Sequence, residues 1–123
     1  MSKKEGMTLN EYQRKAMLTC METSNNFSYM TCNLIGELGE FFGKVGKHLR
    51  KEQVAIIDNK LDCENISVED ENELKKEAGD IMWQLFGLID TLGWSAEEIA
   101  QMNLDKLQKR KKDGVIDGNG DNR

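Results

Sequence analysis

The absence of proline is the feature that most limits the folds open to this chain of 123 residues. Proline breaks helices because it has no backbone N–H and clashes with the preceding turn. The longer segments also repeat apolar residues every three or four positions, which is typical of amphipathic helices. We therefore predict an all-α fold, a helical bundle of about four helices completed by homo-oligomerisation. Residues 1–123 suit a single domain, in which residues 113–123 form a Gly-rich tail.

Hydroxyl residues followed three positions later by an acidic residue mark three helix starts. Such a pair forms a capping box, in which each side chain satisfies a free backbone N–H. The boxes are Thr8–Glu11, Ser67–Asp70 and Ser95–Glu98. Gly93 fits a helix C-terminus, since glycine accepts the left-handed conformation found there. The predicted helices cover residues 9–21, 29–52, 68–92 and 96–112.

Two parts of this outline stay open. Gly36, Gly39, Gly43 and Gly46 lie inside the second predicted helix, and each costs up to about 1 kcal/mol of helix propensity. Close helix packing or the close approach of a ligand would offset that cost, and a kinked helix is the alternative. Residues 53–66 begin with an apolar run that is either a short helical turn or part of a connection, and they continue as a polar loop.

The composition argues against several functional classes. A net charge of -5 disfavours general nucleic-acid binding, which needs a basic surface. No apolar run of about 18 residues is present, so we expect no membrane span, and the N-terminal residues do not resemble a signal peptide. Cys20, Cys32 and Cys63 have no CxxC spacing, and His48 is the single histidine, so a zinc site fits poorly. A reduced cytoplasmic protein with free thiols is the expectation.

Two acidic pairs are the candidates for chemistry. Glu37 with Glu40, and Glu77 with Asp80, are each spaced i, i+3 on a predicted helix, so the members of a pair are neighbours on one surface. Each pair borders the apolar stripe of its helix instead of opposing it. If the two stripes pack together, the four carboxylates meet at the edge of the core.

Carboxylates gathered in this way repel one another and lose hydration. Mg²⁺ would resolve the conflict, since it prefers oxygen ligands and bridges to substrate phosphates, with Mn²⁺ as a possible substitute. A carboxylate-bridged di-iron site fits poorly because the chain has no Glu-x-x-His motif. The alternative is that both pairs lie on solvated helix faces and bind no metal.

Basic and aromatic residues near these pairs are candidates for substrate binding, each with an ordinary structural alternative. Lys44 shares a helix face with Glu37 and Glu40, where it either meets a phosphate or forms an i, i+4 pair with Glu40. Trp83 lies beside Asp80 and either stacks on a nucleobase or packs in the core or a subunit interface.

The fourth predicted helix carries a polar and basic face made of Asn103, Lys106 and Arg110. Lysine and arginine neutralise phosphates, and arginine does so bidentately. The alternative is that these charges complement the negative end of the helix macrodipole.

Four segments carry a resemblance to the MazG-like nucleoside triphosphate pyrophosphohydrolases of the all-α NTP-pyrophosphatase group. They are NLIGELGEF (residues 33–41), LKKEAGDIMW (74–83), NLDKLQKR (103–110) and GVIDGNGDNR (114–123). Each is weak alone, but their order on a helical chain of this size is specific. The resemblance covers most of the chain, from about Thr8 to Arg123.

The resemblance implies Mg²⁺-dependent attack of water between the α- and β-phosphates, without a covalent intermediate. The implied metal ligands are Glu37, Glu40, Glu77 and Asp80. Glu37 or Glu40 would also act in catalysis, and the choice stays open because Gly36 stands where the family often has a further acidic residue.

The implied substrate contacts lie later in the chain. Asn103, Lys106 and Arg110 would contact the triphosphate or the sugar, while Asp121 and Arg123 would help the tail close over the substrate. The family architecture also implies a homodimer or a dimer of dimers. Two other functions stay open: a narrower all-α dUTPase or dCTPase, and a non-enzymatic helical interaction module.

Overall fold

The structure is a computed structural model that describes residues 6–114, and its architecture is all-α, as predicted. The helices are α1 (Leu9–Met17), α2 (Phe27–Arg50), α3 (Val68–Thr91) and α4 (Ala96–Lys112). A short 3-10 helix, Glu22–Ser24, precedes α2. Strands β1 (Ala55–Ile57) and β2 (Lys60–Asp62) form an antiparallel hairpin between α2 and α3.

Helices α1, α3 and α4 begin directly after the capping residues that the sequence predicts. The hydroxyl of Thr8 accepts a hydrogen bond from the backbone N–H of Glu11 at 3.0 Å, and the hydroxyls of Ser67 and Ser95 accept equivalent bonds. Gly93 follows α3 with a φ of +73°, as a left-handed C-terminal residue does. Local hydrogen-bonding chemistry therefore determines these helix ends.

The prediction that the first helix runs to residue 21 is wrong, because α1 ends at Met17. The carbonyl of Ala16 accepts hydrogen bonds from the backbone N–H and the hydroxyl of Thr19, at 3.0 and 2.6 Å. It also accepts one from the indole N–H of Trp83 on α3. These bonds replace the next helical hydrogen bond, so the chain leaves α1 there.

The connection after α2 is a β-hairpin, which neither reading of residues 53–66 anticipated. Ile57 pairs with Lys60, so Asp58 and Asn59 form a two-residue turn. Both turn residues have positive φ angles, 51° and 63°, as a type I′ hairpin turn requires, and Asn and Asp tolerate this conformation. The β-branched residues before the turn favour the extended backbone.

The small core lies where α3 packs against both α1 and α2. Met30 of α2 is completely buried and lies directly over Gly87 of α3. Phe86 is buried and packs edge-to-face on Tyr12 of α1, with 4.9 Å between ring centroids.

A buried glutamine joins α1 to the turn between α3 and α4. The side-chain amide of Gln13 donates to the carboxylate of Asp90 and to the carbonyl of Trp94, and its oxygen accepts from the backbone N–H of Ala96. All polar atoms of this side chain are thereby satisfied, which offsets the cost of burying it.

The glycines of α2 are not explained by packing within the chain. Gly36, Gly39, Gly43 and Gly46 have no neighbour within 4 Å of an added Cβ among the described residues, and α2 is one helix throughout. The expected close helix packing at these glycines is therefore not made within the described part of the chain. Contact with a second molecule or a ligand is the expectation that remains.

Within residues 6–114, no helix combines the length and the apolar character needed to span a bilayer.

Replacing Gly87 with alanine tests the core packing. The new Cβ would lie 2.5 Å from the sulfur and 2.6 Å from the terminal methyl of Met30, which is completely buried, so the end of that side chain must move. We expect overpacking to cost about 1–3 kcal/mol, and the gain of up to about 1 kcal/mol in helix propensity offsets only part of it, so the variant should unfold below the parental temperature. Thermal unfolding followed by circular dichroism measures the difference.

The matched control is Gly79→Ala on the same helix, where no atom lies within 4 Å of the added Cβ. That variant should unfold at the parental temperature or above it. Equal melting temperatures for the two variants would contradict the described packing of Met30.

Candidate metal centre

The packing of α2 against α3 brings acidic residues from both helices into one cluster. Lys44 of α2 contacts Glu77 of α3, whereas Met30, earlier on α2, meets Gly87, later on α3. The two helices therefore run antiparallel. This register places one carboxylate oxygen each of Glu37, Glu40 and Glu77 within 4.8 Å of the others. We call these three residues the carboxylate cluster.

Asp80 lies next to the carboxylate cluster and is more exposed than Glu37 and Glu77. Loss of hydration raises the pKa of Asp80, the charges of Glu77 and Glu40 raise it further, and Lys44 opposes the rise. The structure thus places Asp80 in the electrostatic field of the cluster, but not among the oxygens that lie within 4.8 Å of one another.

The pair of buried oxygens in the cluster is the observation that most favours a cation site. Oε2 of Glu37 and Oε2 of Glu77 are both inaccessible to solvent and have no hydrogen-bond partner among the described residues. Burial raises the pKa of Glu37, and the charges of Glu40 and Asp80 add to that rise. Orphaned anionic oxygens of this kind are costly, and a divalent cation with oxygen ligands would satisfy them.

Lys44 neutralises part of this charge. Its Nζ lies 2.6 Å from Oε1 of Glu77, in an ion pair that joins α2 to α3. The hydrogen bond from Lys44 to Glu77 raises the pKa of Lys44. The alternative expected from the sequence, an i, i+4 ion pair between Glu40 and Lys44, does not form among the described residues. Lys44 therefore pairs with Glu77, whose side chain is 13% exposed, and not with the exposed Glu40.

The candidates on α4 lie in a different part of the fold. Asn103 and Lys106 line an open groove of about 570 Å³, beside the exposed ring of Trp94. No residue of the carboxylate cluster lines this groove. Arg110 is buried, with 5% of its surface exposed. Their roles in phosphate binding stay predictions.

The remaining candidates differ in how far the structure describes them. The indole N–H of Trp83 donates to the carbonyl of Ala16 and to the hydroxyl of Thr19. Trp83 therefore joins α3 to the end of α1. These hydrogen bonds favour a packing role for Trp83, and base stacking stays a prediction. Asp121 and Arg123 lie outside the described residues.

Gln84 is a polar residue of the site region that the sequence interpretation missed. It lies four positions after Asp80 and seven after Glu77, on the same face of α3. Gln84 is buried, with 5% of its surface exposed, and its Oε1 has no hydrogen-bond partner within the described part of the chain. Extending the acidic face by one helical turn would have found it, but a lone glutamine carries no specific signal.

Comparison with known proteins adds to this geometry. A family model for the MazG nucleotide pyrophosphohydrolase domain matches residues 25–115. This chain belongs to that family. It is also 38% identical over 102 residues to the "Gene 37 protein" of Mycobacterium phage L5, covering 83% of this chain and 81% of the phage protein. No solved structure matches significantly.

The MazG match covers α2, α3 and α4, and it therefore includes the whole carboxylate cluster. The family assignment and the two orphaned carboxylate oxygens agree on a divalent metal, although they rest on different observations. One comes from the order of residues along the chain and the other from their arrangement in space.

The raised pKa of Glu37 predicts how stability depends on pH in metal-free protein. The folded state holds this proton more tightly than the unfolded chain, because burial and then Glu40 disfavour the charged form. The free energy of unfolding therefore falls as the pH rises through the raised pKa. Glu37→Gln should melt a few degrees above the parent at neutral pH, with the difference vanishing below about pH 4, where the unfolded carboxyl is also protonated.

Melting temperatures measured in EDTA across that pH range test this expectation. The control is Glu71→Gln, an exposed residue of α3 that pairs with Lys75 at 3.4 Å, and it should follow the parent. A Glu37→Gln profile parallel to that of the parent would show that the cluster imposes no charge penalty.

Proposed function

We propose that this MazG protein hydrolyses nucleoside triphosphates, ribo- or deoxyribo-, between the α- and β-phosphates and releases a monophosphate and pyrophosphate. The observation that carries the proposal is the carboxylate cluster, whose buried oxygens on Glu37 and Glu77 have no partner among the described residues. The family match over residues 25–115 supports the same reaction class.

The proposed cofactor is Mg²⁺, with Mn²⁺ as a substitute. The donor set consists of carboxylate oxygens, which suits a hard cation, and the candidate ligands are Glu37, Glu40, Glu77 and Asp80. Bound there, the metal would neutralise the triphosphate and polarise a phosphoryl oxygen.

The protein groups would supply positioning and proton transfer. Glu37 and Glu40 are the candidate bases for the attacking water, and the choice between them stays open. Holding water and phosphate in a fixed geometry supplies much of the catalysis in reactions of this type. Asn103, Lys106, Arg110, Asp121 and Arg123 are the proposed contacts to the rest of the substrate.

A nucleotide panel tests the reaction. Purified protein with Mg²⁺ is incubated with each common NTP and dNTP, and the products are identified by phosphorus NMR. We expect pyrophosphate and a monophosphate. Orthophosphate as the product, or folded protein without turnover, would contradict the proposal. Activity confined to dUTP or dCTP would identify the narrower enzyme class.

Replacing Glu77 with glutamine tests the metal assignment. The change keeps the shape of the side chain and removes one charge, so helicity should persist. We expect a loss of about 100-fold or more in kcat/KM, since removing even an indirect contact to a metal costs about 10–100-fold. Glu71→Gln on the same helix should retain parental activity.

Calorimetric titration with Mn²⁺ separates the two explanations of such a loss. The metal affinity of Glu77→Gln should fall together with its activity. A variant that binds Mn²⁺ and hydrolyses like the parent would remove Glu77 from the metal site.

We also propose that the chain forms a homodimer, or a dimer of dimers, through the outer face of α2. Ile35, Leu38 and Phe42 are 67%, 39% and 63% exposed, and Gly39 and Gly46 lie among them at helical spacing. These residues face away from the carboxylate cluster, since Phe42 lies about 140° around the helix from Glu37. Large and small residues alternating on one face suit close contact with another helix, and such contact would account for Gly39 and Gly46.

Phe42→Lys tests this face. A charge at the centre of an apolar contact is costly, so we expect the variant to sediment as a monomer at concentrations where the parent is oligomeric. Val68→Lys, at an isolated position that is 70% exposed, should leave the association unchanged. A monomeric parent, or a variant that associates like the parent, would contradict the proposed interface.

A further inference from the structure

The ion pair between Lys44 and Glu77 differs from the others in the described part of the chain. It links two helices, its N–O distance is 2.6 Å, and the side chain of Glu77 is only 13% exposed. The other pairs lie within single helices, with both side chains largely exposed and distances of 3.2–4.0 Å; they are Lys15–Glu11, Lys75–Glu71 and Lys76–Glu73. Exposed pairs of that kind contribute little to stability.

The ammonium of Lys44 uses an oxygen of the same residue that a metal would use. Oε1 of Glu77 accepts the hydrogen bond from Lys44, while Oε2 is buried without a partner among the described residues. A Mg²⁺ ion coordinates carboxylate oxygen at about 2.0–2.1 Å. Two cations held by one poorly hydrated carboxylate repel each other strongly, so each weakens the binding of the other.

The side chain of Lys44 is also able to move away from Glu77. Its side chain is 42% exposed, and lysine carries its charge on a flexible four-carbon stem with three rotatable donors. The ammonium then needs another anion close to the metal. In the reaction proposed above, that anion is a phosphate group of the substrate.

We infer that Lys44 is an exchangeable counter-ion of the carboxylate cluster. Its ammonium pairs with Glu77 in the absence of a divalent cation and transfers to a substrate phosphate when the cation binds. This inference rests on the proposed metal site and deepens it, because it gives one residue two successive partners. The exchange keeps the cluster partly neutralised before the metal arrives.

Chemical labelling of the unmodified chain tests the exchange directly. Limited acetylation by acetic anhydride is measured at Lys44 and at Lys47 by mass spectrometry. Lys47 lies one turn further along α2 and is exposed, so it serves as the control in the same sample. We expect Mg²⁺ to raise the labelling rate of Lys44 several-fold, and inorganic tripolyphosphate, added with free Mg²⁺ kept in excess so that chelation does not remove the metal, to lower it again, while Lys47 changes little.

A Lys44→Met variant tests the same exchange thermodynamically. If the ammonium weakens metal binding, the metal weakens the Lys44–Glu77 pair by the same factor. Removing the ammonium should therefore tighten Mn²⁺ binding by about tenfold. Calorimetry without nucleotide measures this affinity. Lys47→Met removes the same charge one turn away and should change the affinity less than about twofold. An equal gain in both variants would reflect general charge alone and would overturn the inference.

The outcomes separate this inference from the proposed function. If the parent binds Mn²⁺ and releases pyrophosphate, but Mg²⁺ leaves the labelling of Lys44 unchanged, the exchange is wrong and the enzyme assignment stands. If Mg²⁺ exposes Lys44 but tripolyphosphate does not protect it, the transfer to phosphate is wrong. If the parent binds no divalent metal, both the metal site and the exchange fail.

Discussion

The antiparallel packing of α2 on α3 is the contact on which the site depends. It gathers the carboxylates of Glu37, Glu40 and Glu77 within 4.8 Å of one another, and only one lysine compensates them among the described ion pairs. Apolar residues at these positions would pack α2 on α3 at lower cost, since buried charges need partners. A sequence that keeps carboxylates there sacrifices stability locally, which is typical of a functional site.

The parts of the fold that follow from local chemistry could be predicted from the sequence. Thr8, Ser67 and Ser95 cap their helices because a hydroxyl three residues before a free N–H can always reach it. The end of α1 could not be predicted, because Trp83, 67 positions away, donates to the carbonyl of Ala16. The hairpin after α2 was missed because Asp58 and Asn59 form a rarer version of its turn, without the usual glycine.

The candidate site also has features that the sequence predicts and features that need the tertiary structure. Helical periodicity and the apolar stripes predicted that Glu37, Glu40, Glu77 and Asp80 would meet. The first three lie within 4.8 Å of one another, and Asp80 lies beside them. The partner of Lys44 was not predictable, since the choice between Glu40 and Glu77 depends on how hydrated each carboxylate is after α2 packs on α3. The burial of Gln84 also needs the tertiary structure, because spacing alone does not distinguish a buried amide from a solvated one.

The composition of α2 connects the site to the proposed self-association. A helix with Gly36, Gly39, Gly43 and Gly46 has a low intrinsic helix propensity, so its stability must come from packing. One side of it packs on α3 and carries Glu37 and Glu40, while the opposite side exposes apolar residues. Covering that side would stabilise the helix that holds two of the three residues of the carboxylate cluster. The geometry of the candidate metal ligands and the proposed association of the chain would therefore depend on the same helix, and a change on its outer face should affect both.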